Sequence, residues 1–242
     1  MLVALPIQIL QLICGVQIQE ENYNQIIKLS KSYNASLVAV SKLQELSRIE
    51  ELYGLGQRNF GENYVQECLD KQSKLPDDIS WHFIGHLQSK KVKQIIPFIT
   101  LIHGVDSLKL LQEVNKQAGN QNKRQAVLIQ IHIAQEETKY GFSYDEAREL
   151  FASLEIKNLA NIEIKGLMGM ASFTENAELI RKEFRGLKTF FDEIMNKYPG
   201  IGKNMEYLSM GMTSDYKIAL EEGSNLIRIG SAIFGERKNS SS

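Results

Sequence analysis

The chain has 242 residues, a 43% hydrophobic share and a formal net charge of −1. That is enough for one large domain or two small ones with a sizeable core. Near-neutral charge gives no global field for nucleic acid or an anionic membrane. The two cysteines, Cys14 and Cys68, show neither metal spacing nor a disulfide framework, which fits a reducing cytoplasm.

The first 16 residues are apolar, broken by Gln8 and Gln11. They lack the basic start and small-residue cleavage site of a signal peptide, and bulky Ile13 precedes Cys14 where a lipoprotein site needs a small residue. A membrane span needs about 20 apolar residues. The expectation is an N-terminal extension over 1–16: an extra strand, a tail, or a misassigned start.

From there, apolar runs alternate with helix-like segments. The runs predict strands over 37–42, 58–63, 81–86, 101–106, 126–133, 164–170, 207–212 and 226–234. Helices are predicted over 17–33, 64–73, 87–96, 107–118, 144–154, 175–197 and 214–221. The first has a partial stripe of Ile18, Ile26, Ile27 and Leu29. The 175–197 segment carries Leu179, Phe184, Leu187, Phe191 and Ile194 at helical spacing.

Strands alternating with helices argue for a parallel sheet, and eight of them in about 250 residues argue for a closed (β/α)8 barrel. No linker-like tract interrupts the pattern, so 17–237 is one domain, with 238–242 as a tail. An open doubly wound sheet is the alternative. Its dinucleotide fingerprint is missing, since Gly54-Leu55-Gly56 precedes a strand and no glycine follows at the right spacing.

Barrel sites form at the C-terminal ends of the strands. Lys42 ends the first strand, Asn63 the second, and Ser209 to Met212 the seventh; Arg228, Gly230 and Ser231 lie on the eighth strand and its turn. A lysine at a core rim loses hydration, which favours the neutral amine, and neutral amines attack aldehydes. A Gly-Ser turn beside hydroxyls and a helix start suits a phosphate. Barrel closure brings strands one and eight together, so Lys42 and Arg228 meet. An amine for an aldehyde and a turn for a phosphate point to pyridoxal 5'-phosphate (PLP). A permanently charged arginine at the pyridine nitrogen would leave that nitrogen unprotonated and weaken the ring as an electron sink.

Other residues read more plainly. His82 and His86 are four apart on one predicted strand and share a face, with no third ligand in register. His103 and His132 read as packed histidines. Lys165 is the rival amine, but it precedes Gly166 to Met170 and sits early on its strand. Met168, Met170, Met210 and Met212 read as soft packing around a ligand. Lys90-Lys91-Val92-Lys93 reads as a solvated basic face. Glu136-Glu137-Thr138-Lys139 sits in a loop on the active face, where a partner or amino acid would approach.

Five segments carry a family resemblance. They are Val38-Ala39-Val40-Ser41-Lys42, Gly56 to Asn63 (Gly-Gln-Arg-Asn-Phe-Gly-Glu-Asn), and Trp81 to Lys91 (Trp-His-Phe-Ile-Gly-His-Leu-Gln-Ser-Lys-Lys). The others are Leu208-Ser209-Met210-Gly211-Met212 and Arg228-Ile229-Gly230-Ser231-Ala232-Ile233-Phe234-Gly235. From about Gln17 to Arg237 the chain resembles the pyridoxal phosphate homeostasis protein family. The resemblance implies a single-domain barrel like the alanine racemase N-terminal domain, a fold-type III PLP scaffold. It implies PLP as a Schiff base on Lys42, phosphate contacts from Ser209, Gly230 and Ser231, Arg228 at the pyridine nitrogen, and contacts from Asn63 and the Met210 backbone.

It implies a carrier of PLP, with PLP-requiring apoenzymes as partners; the cysteine usage gives a cytoplasmic setting, the charge gives neither nucleic acid nor membrane, and outer helices without a large apolar patch give a monomer. Efficient catalysis is not expected, because the second racemase domain that supplies a tyrosine has no room here. A weak PLP-dependent racemase or transaminase is the alternative, and a Schiff-base aldolase without PLP a third. The sequence departs from the family pattern at Leu43-Gln44-Glu45-Leu46, at Lys90, and in the first 16 residues.

Overall fold

A computed structural model describes residues 18–136 and 138–235. The expected extension over 1–16 and tail over 238–242 lie outside the described residues, as does Glu137.

Eight parallel strands close in sequence order into a barrel. They are β1 (Ser36–Val40), β2 (Asn59–Glu62), β3 (Ser80–Phe83), β4 (Leu101–Val105), β5 (Gln125–Ile131), β6 (Ile162–Gly169), β7 (Tyr207–Ser209) and β8 (Leu226–Ile229). The seam forms between the first and last strands, with Val38 opposite Arg228 and Ala39 opposite Ile229. This is the (β/α)8 architecture the alternation predicts, and the open-sheet alternative is excluded.

The wall separates two apolar populations because strand side chains alternate between faces. Val38, Leu101, Leu128, Met168 and Leu226 pack together inside the barrel. A larger cluster, including Ala39, Phe60, Ile102, Val127 and Ile229, packs between the strands and the surrounding helices. The longest helix, Ala177–Lys197, buries Ile180, Phe184, Leu187, Phe190, Phe191 and Ile194. Its Asn176 side chain accepts from the Glu178 and Leu179 N–H groups, so the helix starts two residues later than expected. Leu179 is only half buried, and Ile180 takes its place in the stripe. In the first helix, Glu20–Ser32, Tyr23 and Ser30 complete the buried face with Ile26.

Several expected bounds need correction, and β3 and β7 stop at Phe83 and Ser209, three residues short. Strand β1 stops at Val40, and Lys42 sits in the turn beyond it. Strand β8 stops at Ile229, because Gly230 turns the chain into a short helix, Ser231–Phe234. The helix expected over 87–96 is a 3₁₀ turn, Ser89–Lys91, followed by one α-turn, Val92–Ile95. Helix Leu46–Gly54 was not predicted. No helix among the described residues is long and apolar enough to cross a membrane.

Candidate functional site

A cavity of about 540 Å³ opens at the C-terminal ends of the strands. Its walls follow from strand alternation. Val40 and Lys42 continue the inward face begun by Val38, Asn63 continues that of Asn59 and Gly61, and Gly230 continues that of Arg228. All of these residues except Val38, Asn59 and Gly61 line the cavity, together with Ile84, Met170 and Phe173. Met212, Thr213 and Ser214 after β7, and Ser231 and Gly235 after β8, complete the rim. Lys42 and Arg228 therefore face one space although they are far apart in sequence.

Among the described residues no carboxylate lines this cavity, whereas Lys42 and Arg228 do. The lining therefore favours an anion. Gly230 keeps the space open: a Cβ there would lie 3.3 Å from Val40 Cβ and 3.4 Å from the Val40 carbonyl oxygen. The helix starting at Ser231 leaves its first N–H groups unused by helix bonds, beside the Ser231, Thr213 and Ser214 hydroxyls. Asn63 Oδ1 is buried with no hydrogen-bond partner. A polar atom so placed fits a bound polar group. Gly85 makes this position of Asn63 attainable, since a Cβ on residue 85 would lie 2.6 Å from the Asn63 carbonyl oxygen.

Arg228 is held from below. It is 3% exposed, and burial pushes its pKa down to about 10 against the opposing pull of Asp215. One guanidinium nitrogen donates to Ser209 Oγ and the other to the Gly169 carbonyl at 3.1 Å. The chain of contacts continues from Ser209 Oγ to His103 Nδ1 (3.1 Å), from His103 Nε2 to His82 Nδ1 (2.9 Å), and from His82 Nε2 to Asn59 Oδ1 (3.4 Å). The Asn59 amide oxygen only accepts, so with both rings neutral the direction is fixed from that end. Ser209 gives its proton to His103, His103 Nε2–H donates to His82, and His82 Nε2–H donates to Asn59. Both histidines are neutral in this arrangement. Burial agrees, pushing His82 down to about 4 and His103 well below the usual histidine range.

Of the residues expected at the site, Lys42, Asn63, Arg228, Gly230 and Ser231 come together at the cavity. Ser209 and Met210 do not line it. Ser209 is fully buried with its hydroxyl turned under Arg228. Met210 is fully buried in the outer core, and its carbonyl accepts from Ser224 Oγ at 2.7 Å. Lys165 is bound by Glu163 at 3.3 Å and Glu206 at 3.6 Å and does not line the cavity. His82 and His86 do not share a face: β3 ends at Phe83, and His86 in the loop bonds Asp106 at 2.9 Å and stacks on Tyr140. Among the described residues no group of three metal-ligating side chains exists.

Sequence reasoning missed Phe173, which is 94% exposed at the cavity mouth. Its N–H donates to Glu136 Oε1 at 2.8 Å, and Lys139 Nζ donates to the Ala171 carbonyl at 2.7 Å. The 136–139 loop thus spends two of its charges holding the segment that carries Phe173. These bonds and Lys139 hold the Glu136 carboxyl down to about 2.

A barrel with this site at its strand ends falls in the class of alanine racemase N-terminal domains, whose sequence profile matches residues 17–238. A pyridoxal phosphate homeostasis protein of Aquifex aeolicus is 41% identical over 206 residues, 84% of this chain and 88% of its own. The Homo sapiens protein of that name is 40% identical over 211 residues, 83% of this chain and 76% of its own. The structure of PipY from Synechococcus elongatus with PLP bound superimposes with a TM-score of 0.76 at 33% identity, covering 84% of this chain and 93% of its own. This chain belongs to the pyridoxal phosphate homeostasis protein family.

Proposed function

We propose that this protein holds PLP in the strand-end cavity and serves the homeostasis of that cofactor without efficient catalysis. The observation that carries the reading is a cavity lined by an amine and a guanidinium and, among the described residues, by no carboxylate, in a chain similar to a PLP-bound structure. In this reading Lys42 Nζ takes the aldehyde, Arg228 faces the ring nitrogen, and Asn63 supplies its partnerless oxygen. Gly230 and Ser231, with Thr213 and Ser214, take the phosphate. Ser209 serves from below, through Arg228. The Met210 contact in this reading is through its backbone, whose carbonyl accepts from Ser224 Oγ.

Bound PLP supplies an aldehyde for primary amines and an electron-withdrawing ring. Arg228 limits that withdrawal, because it cannot give the ring nitrogen a proton and keep its own charge. Among the described residues that line the cavity, none is a histidine, carboxylate, tyrosine or cysteine that could move a second proton opposite Lys42. That absence supports a carrier over a racemase. Delivery to apoenzymes, a cytoplasmic setting and a monomeric state belong to the same proposal.

The test is the visible spectrum with and without added PLP, followed by borohydride trapping. Wild type gains a visible band and a reduced label on Lys42, and Lys42→Ala loses both. An unchanged spectrum in Lys42→Ala overturns the assignment. Incorporation of solvent deuterium at the α-carbon of amino acids above the rate of free PLP would instead support the weak racemase or transaminase.

A further inference from the structure

The turn that carries Lys42 is gripped by a buried charged cluster that the proposed function leaves unused. Lys71 Nζ donates to the Ser41 carbonyl at 2.6 Å, to Glu62 Oε1 at 2.8 Å and to Glu67 Oε1 at 2.6 Å. The same Glu67 oxygen accepts from the Leu43 N–H. Ser41 Oγ donates to Glu62 Oε1 at 2.6 Å, and Ser41 N–H donates to the Gly61 carbonyl at 3.0 Å. The carbonyl of the peptide before Lys42 and the amide of the peptide after it are therefore tied to one cluster. Those two peptide planes set the backbone dihedrals of Lys42.

We propose that Glu67 and Lys71 are positioning residues for Lys42, fixing its backbone so that Nζ enters the cavity to react with an aldehyde. This rests on the proposed function above. Two observations separate it from ordinary packing. First, Leu43 has a φ of 59°, a left-handed conformation that a Cβ disfavours. Something must hold it there, and the Glu67 oxygen meets its N–H. Second, the Lys71 side chain is 4% exposed and that of Glu62 is fully buried. A buried ion pair is a poor device for stability alone, since apolar residues of similar volume do as well or better. No apolar set can give an acceptor to Leu43 and a donor to Ser41 at once. In the reaction served, Nζ forms a double bond to the aldehyde carbon, and its two protons leave with the aldehyde oxygen as water.

The test uses the full chain with Glu67→Ala, which removes the Leu43 acceptor at a partly exposed position, and Glu67→Gln, which keeps an oxygen for it. Lys71→Met is the third variant. The probes are PLP and pyridoxine 5'-phosphate, which carries an alcohol in place of the aldehyde. In Glu67→Ala, hydrogen exchange at the Leu43 amide of the cofactor-free protein rises, and covalent capture of PLP slows roughly tenfold or more. Affinity for pyridoxine 5'-phosphate stays the same, and Glu67→Gln restores most of the capture rate. Lys71→Met follows Glu67→Ala wherever it folds. Unchanged capture in Glu67→Ala overturns the proposal, as does an equal loss of affinity for both probes. If wild type captures no PLP at all, the proposed function fails, and exchange at Leu43 still decides whether the clamp exists.

Discussion

Two buried polar systems flank the cavity, and they are built from opposite materials. Beside Lys42 the cluster of Glu62, Lys71 and Glu67 is charged and grips main chain. Beneath Arg228 the relay of Ser209, His103, His82 and Asn59 is neutral and grips a side chain. The difference follows from what each must hold. Around Lys42 the cluster holds main chain, tying the peptides on either side of that residue. Arg228 keeps its charge whatever surrounds it, so uncharged acceptors hold it without cancelling the cation the site presents. Asp215 is buried and raises the Arg228 pKa through its charge, but it does not line the cavity.

The largest expected effect breaks the charged side. Lys71→Met leaves Glu62 in the core without its cation, and burial already pushes that carboxyl up in the native cluster. The loss in urea unfolding is about 3–5 kcal/mol, as for other buried pairs cut on one side. Changing Glu62 and Lys71 together to apolar residues recovers most of it; failure to recover would mean that the backbone bonds from Lys71, not the ion pair, carry the stability.

The neutral side breaks with acid. The unfolded histidine value is 6.5, and burial pushes His82 down to about 4 and His103 well below 6.5. Between the folded and unfolded values only the unfolded chain holds these protons. Stability therefore falls as pH drops below about 6.5, by about 1.4 kcal/mol per pH unit for each histidine, and for His82 the loss levels off near 4. Denaturant titrations between pH 7 and 5 read the slope, and the double variant His82→Gln with His103→Gln flattens it. A slope that survives in the double variant places the acid sensitivity elsewhere.

Ser209→Ala sharpens the comparison with a smaller change. It strips a guanidinium nitrogen and His103 Nδ1 of a partner while leaving the cavity lining intact. The expected cost is about 1–3 kcal/mol of stability, with PLP still captured at Lys42. Loss of capture without loss of stability would move Ser209 from the floor to the site itself.

The barrel was legible because apolar runs such as 101–105 and 126–131 are too short for helices and recur between helical segments. The meeting of Lys42 with Arg228 was legible because closure is a property of eight strands, whatever their sequence. The end of β8 was not, since Ser231 to Phe234 reads equally well as a continued apolar strand. Nor was the β5–β6 irregularity, where Leu128 pairs with Gly166 one residue out of step, at a glycine with φ of 151° and the Tyr207 carbonyl where a Cβ would go. The charged cluster was hidden for another reason. Glu67 and Lys71, four apart on helix Val65–Gln72, look like a solvated surface pair. Only the fold shows that the helix turns this face inward, toward Glu62 and the β1 turn. The histidine relay was hidden because its members come from β2, β3, β4 and β7, and no spacing along the chain records that they meet.

The seam between Val38 and Arg228 also sets a time order. On the ribosome β1, which leads to Lys42, emerges well before its neighbour β8 with Arg228. A nascent chain halted after the seventh strand has Lys42 but neither Arg228 nor the turn of Gly230 and Ser231. The strand-end cavity is thus completed only after β8 has emerged, and a truncation that removes β8 should leave a protein unable to hold PLP there.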